Sequence, residues 1–210
     1  MIQIISINPA PTLTINGATI WSVGGVAGSN GLGGLRGGIG TDKGFNTGLE
    51  HPGNDGNDGY SFPGPTPGSR GDVYIDAAEG LNFTSGSVTA RDITISGQSS
   101  YALVAFGPGV SLTADQDISI TGKTITSASG SAFSSLGGSS IYVGAGQGIN
   151  LQGSIVGNGA TVSMSSSNGG INSGSITDAG SVTLTAGASG GNIVMGNTTS
   201  WGDVYADSQN

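Results

Sequence analysis

The chain has 210 residues, of which 42 are glycine and none is cysteine, and its formal net charge is −8. Only five residues are lysine or arginine, so the composition argues against nucleic acid and anionic membranes as partners. The lack of cysteine excludes disulfides and thiolate metal sites, and no segment has the roughly 18 consecutive apolar residues of a membrane-spanning helix. This acidic, lysine-poor composition is typical of extracellular bacterial proteins, and we expect no membrane insertion.

Residues 1–23 are predicted to form strands that start or cap the fold. The runs Thr12–Ile15 and Ala18–Ile20 alternate between apolar and polar residues around Asn16-Gly17. Asn-Gly between two alternating runs is a strong signal for a β-hairpin, because both residues accept positive φ. We therefore expect an N-terminal strand or hairpin segment.

Residues 24–71 differ from the rest of the chain, because glycine recurs at every third position. Such a period fits a polyproline-II-like or polyglycine-II conformation, and the alternative is a packed or flexible glycine-rich loop. Within this segment, Asp55 and Asp58 resemble part of a calcium-binding Gly-Asp repeat, but such sites need tandem copies, so a turn is predicted there. His51, the only histidine, is predicted to be a solvated loop residue. The first run of glycines is Gly25, Gly28, Gly31, Gly34, Gly37 and Gly40.

Residues 72–210 contain a repeat of about twenty residues. The step of 31 residues that follows Val110 is interpreted as a Ser/Gly-rich insertion over 127–139. Self-similarity at this period predicts a solenoid rather than a globular sandwich. The repeats are predicted to begin at Val73, Ile93, Val110, Ile141, Val162, Val182 and Val204.

Each repeat contains short triplets in which two apolar residues flank a polar one, such as Val110-Ser111-Leu112. In a strand the outer two residues share one face, so they point inward, while the middle residue points to solvent. A triplet cannot bury its apolar side chains alone, and only the turns above and below can cover them. The sequence therefore predicts an all-β fold, a parallel β-helix of about six to seven coils.

The run from Gly180 to Gly187, followed by Gly191-Asn192-Ile193, resembles the repeats of filamentous-haemagglutinin-like exoproteins exported by two-partner secretion. The resemblance covers about residues 72 to 210. It implies a right-handed β-helix, secretion through a partner pore, and a role in adhesion, aggregation or biofilm. The chain is short for that family, and it shows no match to the family's N-terminal secretion domain.

Candidate catalytic residues are sparse. A glycosidase or lyase needs acids clustered on one face, and we predict that the acids of the repeats do not recur at one position of the coil. Asp115 and Asp117 are the best pair, but they occupy a turn. We predict that the protein is not an enzyme and binds no metal or cofactor, and a polysaccharide-active enzyme is the third alternative.

Two sets of residues are candidates for binding. Arg70-Gly71-Asp72 is an integrin-type tripeptide just before the first repeat, and its charged groups could instead pair with each other or with neighbours. Tyr74, Tyr142 and Tyr205 share the outward middle position of a first triplet. Such a column would serve as ordinary cross-coil packing, as a platform for carbohydrate, or as a subunit contact.

The ends of the solenoid lead to the functional prediction. Solenoid ends expose unpaired strands, which native proteins normally cover. Here the first strand, with Ile2, Ile4 and Ile5, and the last, with Val204 and Tyr205, are predicted to pair between molecules head to tail. The leading prediction is an extracellular filament subunit or segment. The alternative is a glycan- or cell-binding adhesin module, including receptor binding of the phage tail-fibre kind.

Overall fold

A computed structural model of the chain describes residues 1–6, 12–22, 41–42, 51–52, 70–97, 101–187 and 191–209. These residues form strands, and no helix occurs among them. The chain divides into two compact units, one made of Met1–Gly24 and Ser69–Asn210 and the other of Gly25–Gly68. The strands are β1 (Ile2–Ser6), β2 (Leu13–Trp21), β3 (Thr41–Asp42), β4 (His51–Pro52), β5 (Val73–Ala77), β6 (Gly80–Ala90), β7 (Ile93–Gly97), β8 (Leu103–Phe106), β9 (Val110–Ala114), β10 (Ile118–Ser127), β11 (Ala132–Ser135), β12 (Ser140–Leu151), β13 (Ser154–Val156), β14 (Thr161–Ser166), β15 (Ile171–Ser173), β16 (Ile176–Ala179), β17 (Ser181–Ala186), β18 (Ile193–Met195), β19 (Thr198–Ser200) and β20 (Val204–Ser208).

The larger unit is the predicted parallel β-helix. Each turn of the chain passes along three faces. Strands away from the two ends pair in parallel with the strand one turn before and the strand one turn after them. Face one contains β1, β5, β7, the start of β10, the start of β12, β14, β17 and β20. Face two contains the start of β2, the start of β6, β8, the end of β10, the end of β12, β15 and β18. Face three contains the end of β2, the end of β6, β9, β11, β13, β16 and β19.

The apolar residues of the triplets form columns along the inside of the solenoid. Because side chains in a strand repeat every two residues, alternate residues point inward. Five-residue strands such as β5 and β9 alternate strictly between buried and half-buried positions. Burying one such side chain stabilises the fold by about 1.5–3 kcal/mol, and each column repeats that gain at every turn. One face-one column, in which no side chain is more than 1% exposed, consists of Val73, Ile93, Ile118, Ile141, Val162 and Val182.

The N-terminal strands form the first turn of the solenoid, which confirms the predicted strand segment, whereas its hairpin alternative is wrong. β2 continues through Asn16 and Gly17, and both of its halves run parallel to β6, with a register shift at this point. Gly17 has a φ of +65°, so the Asn-Gly pair does make a sharp bend. The bend is a corner between faces two and three, because the pairing partner lies about 70 residues further along the chain rather than across a hairpin.

One predicted repeat boundary is also wrong. Val110 begins β9 on face three, and the fourth turn begins at Ile118, which lies beside Ile93 and Ile141 on face one. The stretch 127–139 is therefore not an insertion. It contains the face-three strand β11, whose Phe133 lies in the core at 1% exposure. Six turns span 73–208, preceded by the turn that β1 and β2 form.

In the smaller unit, the described residues are β3 and β4, which pair in antiparallel fashion with Asp42 beside His51. The predictions of period-three glycine structure and of a turn at Asp55 and Asp58 fall outside the described residues.

Candidate functional site

The three tyrosines predicted as a binding column occupy one outward column on face one. Tyr74, Tyr142 and Tyr205 are separated by three turns each, which is about 14 Å at ~4.8 Å per turn, so their rings do not stack on one another. Tyr142 and Tyr205 are 39% and 56% exposed. The whole column, from the first turn to the last, is Gln3, Tyr74, Thr94, Ser119, Tyr142, Ser163, Thr183 and Tyr205.

An open groove of about 630 Å³ runs along the first turns of this face. Tyr74 lies within it between Gln3 and Thr94, and carboxylates line one side. An aromatic ring beside hydrogen-bond acceptors is a surface on which a sugar ring can stack while its hydroxyls donate. The groove is lined by Met1, Gln3, Asp72, Val73, Tyr74, Asp92, Thr94 and Asp117.

The charged groups of Arg70-Gly71-Asp72 both form ion pairs with other residues of the solenoid, at its surface. Arg70 forms an ion pair with Asp115, across the corner that leads from face three to face one. Arg91 donates to Asp72 at 2.8 Å and to Asp92 at 3.0 Å. The hydrogen bond to Asp92 and the charge of Asp72 raise the pKa of Arg91 above its usual value. Asp72 is thus bonded to the next corner of the solenoid, and Arg70 reaches the corner two turns further on.

Acids recur at one position of the solenoid, contrary to the sequence prediction. Asp72, Asp92, Asp117 and Asp203 each come immediately before a strand of face one. Asp92 accepts a hydrogen bond from the backbone N–H of Asp117 at 3.2 Å, and Asp117 accepts from the N–H and hydroxyl of Ser140 at 2.8 and 2.7 Å. The misplaced boundary at Val110 put only Asp117 out of phase. Asp72, Asp92 and Asp203 each directly precede a predicted repeat start, so the sequence signal for this column was available. The visible role of the column is to bond the corner of one turn to the next.

The C-terminal end of the solenoid exposes the inside of the last turn. Val204 continues the buried column of Val182, yet it is 48% exposed where Val182 is 0% exposed. Met195 is 38% exposed, although it too lies in an inward column, beside Ser173. Among the described residues, β18, β19 and β20 each pair with one earlier strand only. Their outer edges therefore present unpaired backbone groups beside apolar side chains.

Sequence reasoning identified Val204 and Tyr205 at this end but missed Val194, Met195 and Trp201. Val194 is 57% exposed and Trp201 is 75% exposed. The ring of Trp201 leans back along the corner column, where its Cζ3 atom lies 3.2 Å from the position of a Cβ on Gly159. A sequence signal was available for Val194, because the middle position of a triplet is polar in most turns and is valine in β18.

The N-terminal end is the counterpart of this edge. β1 pairs only with β5, and β2 only with β6, within the part of the chain that the structure describes. Ile2 and Ile4 point inward and are half-buried, whereas Ile5 points outward and is 52% exposed. The predicted contact residues thus lie at the two ends of the solenoid, with Ile2, Ile4 and Val204 in inward columns and Ile5 and Tyr205 on the outer surface.

Within the described ranges, no three His, Cys, Asp or Glu side chains converge in a way that could hold a metal ion. No helix in the described part of the chain is long and apolar enough to span a membrane. Comparisons of the chain with protein-family models, with characterised proteins and with solved structures gave no significant match.

Proposed function

We propose that the protein is a structural subunit of an extracellular filament, on a bacterial surface, that grows by end-to-end stacking of solenoids. The observation that carries the proposal is the last turn. Val204 occupies a core position of the repeat but is 48% exposed, and within the described part of the chain three consecutive strands there have an unpaired edge.

The occupant that fits this edge is the first turn of a second copy. It offers three strand segments of the same parallel solenoid, with Ile2 and Ile4 at inward positions. The described residues of the first turn, 2–6 and 12–22, contain no charged side chain. Asp203 and Asp207 at the other end therefore meet no like charge. A contact between two different ends of identical subunits does not close, so it yields a polymer.

Light scattering and negative-stain electron microscopy of the purified chain test the proposal. We expect rods whose length increases with protein concentration. Val204→Asp should prevent them, because stacking would bury an unpaired carboxylate at a core position. Asn150→Asp adds the same charge on the outer face of a middle turn, where Asn150 is exposed, and it should assemble normally. A parent chain that stays monomeric at high concentration would overturn the proposal.

The groove beside Tyr74 favours one second candidate, which is binding of a neutral glycan along face one. Two results together would support this candidate over the filament. The chain would bind glycans on an array and lose that binding in Tyr74→Ala, and it would form no rods. An array without hits would remove it.

A further inference from the structure

The joint between two stacked copies follows from the number of strands on each face. Among the described residues, face one has eight strand segments, while faces two and three have seven each. The C-terminal end of this described solenoid is therefore stepped, because no described strand follows β20 on the other two faces. The three segments with a free outer edge are β18 on face two, β19 on face three and β20 on face one.

The N-terminal end has the complementary step. Its three free segments are β1 on face one, the start of β2 on face two and the end of β2 on face three. Stacking like face on like face would place β1 over β20 and leave β18 and β19 without a partner. Main-chain pairing then forms at one strand in three, and two edges remain unsatisfied.

We infer that the second copy is turned by one face about the solenoid axis, so that the chain path continues through the joint. This inference rests on the proposed function. In the turned joint β1 lies over β18, the start of β2 over β19, and the end of β2 over β20. All three edges are then paired, and each pairing stays parallel.

The inward columns also continue in this arrangement. Ile2 and Ile4 come to lie over Ile193 and Met195, and the end of β2 brings Ala18 and Ile20 over Val204 and Ala206. These are the inward positions of their strands, as the pairing of each with the preceding or following turn shows. Met195 and Val204, both exposed in the single chain, become covered.

The turned joint predicts a specific geometry for the filament. One copy contributes seven and one-third turns, which is an axial rise of about 35 Å per subunit at ~4.8 Å per turn. It adds about 120° of rotation to the intrinsic twist of the solenoid. Like-on-like stacking would give about 38 Å, from eight turns, without the extra rotation.

Engineered cysteines test the joint directly, because the natural chain has none. In the turned joint, Gln3 lies beside Val194 of the neighbouring copy, both on the outer surface. Adjacent parallel strands bring Cα atoms to about 5 Å, which suits a disulfide. Within one copy, Gln3 and Val194 lie at opposite ends, about 30 Å apart along the axis, so any disulfide joins two molecules.

We expect mild oxidation of the Gln3→Cys/Val194→Cys variant to give a ladder of covalent oligomers on a denaturing gel. The matched variant, Gln3→Cys/Tyr205→Cys, places the same thiols where like-on-like stacking would bring them together, and it should give no ladder. Circular dichroism checks that both variants fold. If rods form but cross-link only through the second pair, or through neither, the turned joint is overturned and the filament proposal is not. If the parent chain forms no rods, both the filament proposal and the turned joint are overturned.

Discussion

The turn that begins at β17 and the last turn, which begins at β20, place chemically similar residues at equivalent positions and bury them very differently. Val182 and Val204 belong to one column, two neighbours in the same parallel ladder, yet the first is 0% and the second 48% exposed. Within the described residues, Val182 has both a following turn and the other two faces of its own turn around it, whereas Val204 has neither. In a solenoid, burial is thus a property of the neighbouring turns more than of the residue itself.

The largest expected effect comes from emptying the middle of the core. Phe133 is 1% exposed and packs edge to face against Phe106, with ring centroids 5.2 Å apart. Phe133→Ala should lower the free energy of unfolding by about 3–5 kcal/mol, because it leaves a cavity between covered turns. Thr198→Ala, in the same column at the end of the solenoid, should cost less than about 0.5 kcal/mol. Chemical denaturation followed by circular dichroism measures both, and equal losses would contradict the comparison.

A smaller effect is expected from truncating the same residue type at the two positions. Val182→Ala should cost about 2 kcal/mol, since two carbons leave a covered site. Val204→Ala should cost under about 0.5 kcal/mol in the isolated chain. If stacking covers Val204, the cost of Val204→Ala should rise in assembled protein, which thermal denaturation of rods and of dilute chain would reveal. A Val204→Ala cost as large as that of Val182→Ala in dilute chain would show that the last turn is covered without stacking.

The smallest effect concerns the ion pairs at the corner. Arg91 links Asp72 and Asp92 at the surface, with 39% of its side chain exposed. Arg91→Gln should lower the denaturation midpoint slightly at low ionic strength, and 1 M NaCl should abolish the difference by screening the charges of the parent chain. The raised pKa of Arg91 means that this contribution is present at all lower pH values where the acids stay ionised, and it fades only as the guanidinium deprotonates in strong base. A loss that persists in high salt would show that packing of the Arg91 stem is the larger contribution.

The parallel β-helix was predictable because its period lies in short triplets such as Ile118-Ser119-Ile120 and Val162-Ser163-Met164. The identity of each face was not, because all three faces use the same apolar–polar–apolar triplet. Val110-Ser111-Leu112, which lies on face three, was therefore wrongly predicted to be the start of a turn. The corner between β10 and β11 differs in length from its equivalents, and only the pairing partners fix the phase.

The ends were predictable in outline only. The sequence marked Ile2, Ile4 and Val204 as contact candidates from their apolar character in end strands. It could not indicate the step between faces, since that step depends on which face β20 occupies. The same limit explains Asn16-Gly17, where a local hairpin signal was overridden by a partner strand far along the chain.

The alignment of β14 with β17 has a consequence for how such a chain can change length. Thr161–Ser166 and Ser181–Ala186 match position by position, with valine beside valine and methionine beside leucine. Removing or duplicating the residues between equivalent points would join one turn to another whose columns already fit. Overall length is therefore a trait that whole-turn gain or loss can adjust while the remaining contacts stay intact.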